Sequence, residues 1–365
     1  MSNGPSNGTI DTCLEGKRIL ITGGTGSLGK ILTKTILSGV YGKPAKVIIF
    51  SRDEAKQYDM RLAFRHLGAA TEEIIYEDAE SLLHFRLGDV RDFQSISSVL
   101  READVVFNAA ALKQVPTCEY FPYDAVRTNI EGPENIVTAI RQLQLPVEVV
   151  MGISTDKACK PINVMGMSKA IQERIFINGN LYCDQTRFTC VRYGNVLASR
   201  GSVIPLFHDQ IKSGGPVTIT TKDMTRFLLP LSSAVKTVMA AYMYGRPGEV
   251  FIPRILSSRI LTIVEALIGD RDIEVKEIGI RPGEKIHEIL VAEDEVYRTV
   301  ARNGHYVIQP ILPEIGAEIP KQPALTGEYS SANELMTLEQ AKQILGDNGL
   351  LMENLETQGV GEVLR

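Results

Sequence analysis

Residues 17–22 (KRILIT) run directly into Gly23-Gly24-Thr25-Gly26-Ser27-Leu28-Gly29, and that junction restricts the fold more than any other stretch. A short β-branched apolar run reads as a strand. After the glycines, Leu28, Ile31, Leu32, Thr35 and Ile36 fall on one helical face. Strand, glycine turn and helix in that order open a doubly wound α/β domain. The rhythm continues along the chain. Strands are expected over 46–50, 84–87, 104–108, 147–153 and 188–193, separated by helices over 54–67, 95–101, 123–143 and 164–177. Continuous β-branched runs alternating with helices predict a parallel sheet covered on both faces.

At 365 residues the chain is long for one core and favours a large domain with a smaller partner. Residues 1–16 read as a flexible tail and 17–196 as the glycine-turn domain. Residues 197–310, with their Gly/Pro turns, read mainly as a second, substrate-binding domain. A helical pattern over 234–244 is expected to return to the first domain, and 311–365 form a C-terminal extension. A net charge of −5 gives no global basic field for nucleic acid or anionic lipid. No apolar run approaches the roughly 18–20 residues a membrane helix needs. The five cysteines contain no C-x-x-C pair and the five histidines are scattered, so neither a disulfide framework nor a metal site is expected. A reducing cytoplasm is the expected setting. Cys118 and Cys159 flank candidate site segments, but buried structural thiols are the favoured reading.

Glycines at a strand–helix junction let backbone approach a pyrophosphate at the helix N-terminus. Gly23, Thr25, Gly26, Ser27, Leu28 and Gly29 are therefore candidate dinucleotide contacts; a plain structural turn is the alternative. At the end of the second strand, NAD-binding chains usually carry an acidic residue for the ribose 2′-hydroxyl. Here Ser51, Arg52 and Asp53 stand there. A hydroxyl beside a guanidinium suits a 2′-phosphate and favours NADP, whereas a solvated surface arginine would carry no such meaning. Asp89 and Val90 are expected beside the adenine. Ala109, Ala110 and Ala111 are small enough for the cofactor to pass.

Further segments carry a resemblance. They are Ala110 through Lys113 to Glu119, Thr128-Asn129-Ile-Glu-Gly132, Ser154-Thr155-Asp156-Lys157 through Met165 to Lys169, Arg192-Tyr-Gly-Asn195 through Arg200 to Val203, Met224-Thr-Arg226-Phe, and Arg281-Pro-Gly-Glu-Lys285. Together with the glycine turn they cover most of residues 17–291. On these motifs the chain resembles the extended short-chain dehydrogenase/reductases, which have a Rossmann sheet. Within them it is similar to the UDP-N-acetylglucosamine 4,6-dehydratases of capsule and O-antigen synthesis that also invert C5. The wider superfamily pairs a tyrosine with a lysine four residues on, so that both rise from one helical face. Here Lys169 is present, but Met165 holds the tyrosine's position and cannot exchange a proton. The capsule-type dehydratases and their C5-retaining, membrane-linked branch share that replacement, and Lys113-Gln114-Val115-Pro116 resembles the inverting branch more.

The resemblance implies C4 oxidation by NADP+, C5 deprotonation, loss of the C6 hydroxyl and hydride return to C6. Thr155 would hydrogen-bond the 4-hydroxyl, Asp156 would protonate the C6 leaving group, and Lys157 would be the C5 base. To act as a base Lys157 must be neutral, and burial or the nearby cation Lys169 is expected to depress its pKa. Lys169 would hold the nicotinamide ribose, while Met165 would contribute packing alone. Lys113, Asn195, Arg200, Val203, Arg226 and Arg281 would contact the UDP-sugar, the arginines clamping its diphosphate. A homo-oligomer is also implied. Taken alone, Thr-Asp-Lys is equally a solvated turn or a helix cap. A nucleotide-sugar 4-epimerase and an inactive NADP-sensing scaffold are the competing readings. Epimerases rely on the missing tyrosine, and a scaffold would have no use for Asp156 and Lys157.

Overall fold

The computed structural model describes residues 12–70, 79–197, 203–316 and 320–353. Six strands follow the expected rhythm: β1 (Arg18–Thr22), β2 (Lys46–Ser51), β3 (Leu83–Leu87), β4 (Val105–Asn108), β5 (Val149–Ile153) and β6 (Arg187–Val191). All pair in parallel, in the order β3-β2-β1-β4-β5-β6. The order reverses between β1 and β4, so a crevice opens there beyond the strands' carboxyl ends.

Between the strands lie α1 (Ser27–Leu37), α2 (Glu54–Ala70), α3 (Ala79–Leu82), α4 (Phe93–Leu100), α5 (Val115–Tyr120), α6 (Pro122–Val126), α7 (Gly132–Leu143) and α8 (Val164–Gly179). Because strand side chains alternate, two cores form. Leu20, Ile48, Val106 and Val150 pack beneath Ile96 of α4, Ile136 and Ile140 of α7, and Phe176 of α8. Ile19, Ile21, Val47, Ile49 and Phe107 pack against Leu32 and Ile36 of α1 on the other face. Phe176 and Phe188 stack with ring centroids 6.2 Å apart. Truncating either to alanine should cost about 3–5 kcal/mol.

Two expectations are corrected here. The single helix expected over 123–143 is divided into α6, a π-helical turn at Arg127–Glu131, and α7. Pro133 supplies no amide at the start of α7, and buried Asn129 in the turn spends its amide on Leu112 and Ser168. The segment 197–310 also gives more back to the first domain than the one helix expected. A short β7 (Asn195–Val196), α9 (Val203–Lys212), β8 (Val217–Ile219) and β9 (Thr225–Leu229) lead into α10 (Leu231–Tyr244). That helix buries Ala234, Val235 and Val238 in the α1-side core. Next, β10 (Val250–Pro253) pairs in parallel with β6. Its apolar run VFIP is a buried strand that the turn-rich surroundings obscured.

The remaining elements are β11 (Ser257–Arg259), α11 (Ile260–Ile268), β12 (Val275–Glu277), β13 (Ile289–Val291), α12 (Glu293–Val296), β14 (Thr299–Arg302), β15 (His305–Ile308), β16 (Tyr329–Ser330) and α13 (Leu338–Asp347). The antiparallel pair β14–β15 extends the main sheet beyond β10 to nine strands. A smaller core joins α9, α11 and α13 through Phe207, Ile263, Leu267 and Leu345. In the C-terminal stretch, β16 pairs with β13.

Candidate active site in the crevice

The cofactor end begins at Gly23, whose φ is +64°. A Cβ there would lie 2.7 Å from Ala110 Cα and 2.8 Å from the Ala109 carbonyl oxygen, so only glycine lets the first turn lie against the β4–α5 loop. Gly26 caps α1 in an extended conformation without a side-chain hydrogen bond, and no acidic residue occupies the first turn. The leading amides of α1, beginning at Ser27 and Leu28, therefore face the crevice and suit an anion. Thr25 Oγ1 lies 3.2 Å from Ser51 Oγ, which accepts from the Asp53 amide at 3.2 Å. Arg52 is more than half exposed and stands 3.8 Å from Asp89. Arg91, absent from the sequence reading, grips Asp89 through Nε at 2.8 Å and Nη2 at 2.6 Å. Burial opposes the Asp89 charge, yet Arg91's hydrogen bonds and charge, helped by Arg52, hold the carboxyl below its ordinary range. Val90 is buried, and its carbonyl accepts from Asn135. These groups form a cradle that fits a dinucleotide.

At the end of β5 the chain turns sharply. Thr155 caps a 3-10 turn over Asp156–Ala158, its hydroxyl accepting from the Lys157 amide at 3.4 Å. This is a helix cap, as one alternative held, but the turn is not solvated: Asp156 is 0% exposed. Its Oδ1 accepts from Thr155 Oγ1 at 2.8 Å and from Lys157 Nζ at 3.2 Å, while buried Oδ2 has no partner among the described residues. Burial lifts the Asp156 carboxyl above its ordinary range, with Lys157 opposing and Glu288 adding to the rise. Burial thus makes this carboxyl a readier proton acceptor than a solvated aspartate.

The first turn of α8 presses onto this turn. A Cβ on Gly166 would meet the Lys157 carbonyl oxygen at 2.2 Å, which no side chain could tolerate. Asn163 caps α8 by accepting from the Gly166 amide at 2.8 Å, and its own amide donates to the Gly283 carbonyl at 2.8 Å. Lys285 donates to the Cys159 carbonyl at 2.6 Å. These contacts pin the 281–285 loop over the crevice and leave Arg281 exposed. Met165 is buried with Cys118 and Ala125 in a small apolar cluster. Burial pushes the Cys118 thiol up to about 11 and the Cys159 thiol to about 12, so neither is a ready nucleophile.

The two lysines reverse the expected pattern. Burial alone would depress Lys157, but Asp156 and Glu288 outweigh it, with Arg226 opposing, and hold the ammonium above its ordinary range. Glu288 Oε1 is 3.2 Å from Lys157 Nζ. Lys169, expected to act on Lys157, is itself the depressed amine. Burial takes it to about 8, with Cys190 and Glu173 opposing, and its Nζ donates to Gln172 Oε1 at 2.5 Å. Gln172 in turn donates to the Ile153 carbonyl. Arg226 also differs from expectation. It is buried, Nη1 donates to the carbonyls of Thr225 and Ile286, and Nε stands 4.0 Å from Glu288. It faces the proton-handling cluster rather than an open diphosphate channel. Asn195 offers a buried Oδ1 without a donor among the described residues. Lys113 is exposed on the β4–α5 loop, and Val203 begins α9. Arg200 lies outside the described residues.

Sequence reasoning missed Glu288, which belongs to none of the motifs, and the buried network behind it. Arg192 binds Glu173 at 2.6 Å, Glu295 at 2.7 Å and the Leu290 carbonyl at 2.9 Å. Burial would raise Glu295, but Arg192 and Arg298 hold it at about 2. Ser154 Oγ joins through Glu173 at 2.5 Å. The end of β5, the end of β6 and β13 are thus locked together.

The fold is that of a short-chain-dehydrogenase-type protein, with a glycine-turn cradle and a buried cluster of ionisable side chains at its strand ends. Residues 19–310 match a family described as polysaccharide biosynthesis protein. The chain belongs to that family, among the nucleotide-sugar epimerases and dehydratases of this fold. It is 40% identical over 352 residues to a protein named UDP-glucose 4-epimerase from Rickettsia akari, covering 93% of this chain and 98% of that one. It is also 40% identical over 312 residues to an uncharacterized membrane protein of Methanocaldococcus jannaschii, covering 82% and 88%. Among the described residues of this chain, no helix is long and apolar enough to cross a membrane. The solved structure of Pen from Bacillus thuringiensis is 32% identical, with a TM-score of 0.81 over 93% of this chain and 99% of that one.

Proposed function

We propose that the chain is an NADP-dependent 4,6-dehydratase that removes water from UDP-N-acetylglucosamine to give a UDP-4-keto-6-deoxy-N-acetylhexosamine with C5 inverted. The observation that carries this reading is the buried Asp156–Lys157 pair at the end of β5, beside a methionine that cannot replace a catalytic phenol. An epimerase needs one group to shuttle the 4-hydroxyl proton. A dehydratase needs in addition a base at C5 and an acid at C6, and the strand end carries an amine and a carboxyl for those tasks.

Gly23, Thr25, Gly26, Gly29, Ser51, Arg52, Asp89 and Lys169 would hold NADP, with Arg52 turning to the 2′-phosphate. When bound, NADP supplies reversible hydride chemistry, so the reaction ends without net oxidation. Thr155 orients the 4-hydroxyl. Asp156 takes the 4-hydroxyl proton as C4 is oxidised and gives it to the departing C6 hydroxyl. Lys157 takes the C5 proton once its amine is free. Asn195 Oδ1 accepts from a substrate donor, while Arg281 and Lys113 meet the diphosphate and sugar.

The name carried by the Rickettsia relatives favours a second reading, nucleotide-sugar 4-epimerisation. Product mass separates the two. Incubation with UDP-N-acetylglucosamine should give a product lighter by one water. Unchanged mass with C4 inversion would replace the dehydratase reading with the epimerase, and absence of any turnover would leave a scaffold.

A further inference from the structure

We propose that Glu288 is the positioning partner of Lys157: a carboxylate that orients the strand-end amine and receives its proton before C5 is attacked. This inference deepens the dehydratase reading and rests on it for the C5 step.

The geometry is specific. Glu288 is 2% exposed and arrives from the residue before β13, far along the chain from the turn it meets. Oε1 contacts Lys157 Nζ at 3.2 Å, the same distance that separates Nζ from Asp156 Oδ1. Two carboxyls therefore bracket one amine. Glu288 Oε2 is buried and has no hydrogen-bond partner among the described residues. A buried orphan oxygen is costly unless it gains a proton or a donor. The backbone around it is fixed, because the Glu288 amide donates to Ser331 Oγ at 2.9 Å and the Ser331 amide donates to the Glu288 carbonyl at 2.8 Å. Two residues on, the Leu290 carbonyl is held by Arg192. The carboxylate is thus aimed by a rigid frame.

The step balances within the pair. The Lys157 ammonium and Glu288 carboxylate become a neutral amine and a neutral carboxylic acid by transfer of one proton across the 3.2 Å contact. The Lys157 lone pair then takes the C5 proton, and the C5–H electrons form the C5–C6 double bond as the C6 hydroxyl leaves with the Asp156 proton. A site closed by substrate favours the neutral pair, because a low-dielectric environment penalises separated charges. Asp156, Arg226, Lys285, Cys159 and His287 are the other titratable or charged groups around this pair. Arg226 and Lys285 support the Glu288 charge. Cys159 receives Lys285 through its carbonyl, and His287 is turned to Thr225 Oγ1.

The test uses Glu288→Gln, which keeps the shape but cannot take the proton, and Glu288→Asp, which keeps the carboxylate. In Glu288→Gln, kcat near pH 7 should fall roughly a hundredfold and recover as pH rises, since Lys157 must then discharge to solvent. Glu288→Asp should restore the wild-type shape of the pH profile even if kcat stays lower. A pH-independent loss in Glu288→Gln, or wild-type kcat, overturns the proposal. A second arm needs no turnover. In protein carrying 13C-labelled lysine, the Lys157 side-chain signal, assigned with Lys157→Met, is titrated by NMR. Its midpoint should fall by about one pH unit or more in Glu288→Gln, and an unchanged midpoint overturns the clamp. If wild-type enzyme removes no water while the midpoint still falls, the dehydratase reading fails and the Lys157–Glu288 clamp stands.

Discussion

The two ends of the crevice are assembled on different terms. At the cofactor end, residues 23–29 supply within one turn a positive-φ glycine, close backbone packing and an uncapped helix start. At the proton end nothing is complete locally. Thr155, Asp156 and Lys157 join a buried ionic cluster only when Glu288 and Arg226 reach them from other elements. The contrast teaches that a binding cradle can be written in consecutive residues, whereas a tuned proton pair depends on tertiary closure. The two buried lysines make the point. Asp156 and Glu288 hold Lys157 above its ordinary range against burial, whereas burial depresses Lys169 because Cys190 and Glu173 offset it only in part.

Breaking the proton end should have the largest effect. Lys157→Ala should lower water elimination by roughly a thousandfold, with NADP affinity unchanged by fluorescence titration; near-normal turnover would remove Lys157 from the chemistry. Asp156→Asn should follow at roughly a hundredfold in kcat, with KM nearly constant. A rise in KM without loss of kcat would make Asp156 a binding group. The cofactor end should respond differently. Arg52→Ala should weaken NADP by about 1.5–3 kcal/mol, the range for a charged hydrogen bond, and leave NAD affinity unchanged. Equal losses for both cofactors would mean that Arg52 does not read the 2′-phosphate.

The smallest effect is thermodynamic and concerns Lys169. Its folded pKa, about 8, lies below its unfolded value, so the unfolded chain binds that proton more tightly. The resulting penalty is fully present below pH 8 and is relieved as pH rises from about 8 toward the unfolded value. Cofactor-free Lys169→Met should therefore melt above wild type at pH 7, and the gap should narrow as pH climbs through 8. A gap independent of pH would show that Lys169 does not titrate in that window.

What the sequence disclosed follows the same division. The glycine turn and the six parallel strands are contiguous, so periodicity and spacing exposed them, whereas the Thr155–Lys157 segment stood out through the family resemblance. Gln172 carried a usable signal, since it follows Lys169 at i+3 on a helix. Glu288 carried none: it is one glutamate in a polar stretch, and its partner is set by how β13 is anchored. The same reason hid the Glu173–Arg192–Glu295 network and the return of β10, β14 and β15 to the main sheet. The expected pKa of Lys157 failed because burial was weighed without the carboxylate that burial brings alongside.

The pairing of β13 with β16 has a consequence for homologues of unequal length. The family match stops at residue 310, yet Tyr329 and Ser330 brace the strand that follows Glu288, and Ser331 holds Glu288 itself. A shortened relative could keep every recognisable signature, bind its dinucleotide and still lack the brace that aims this carboxylate.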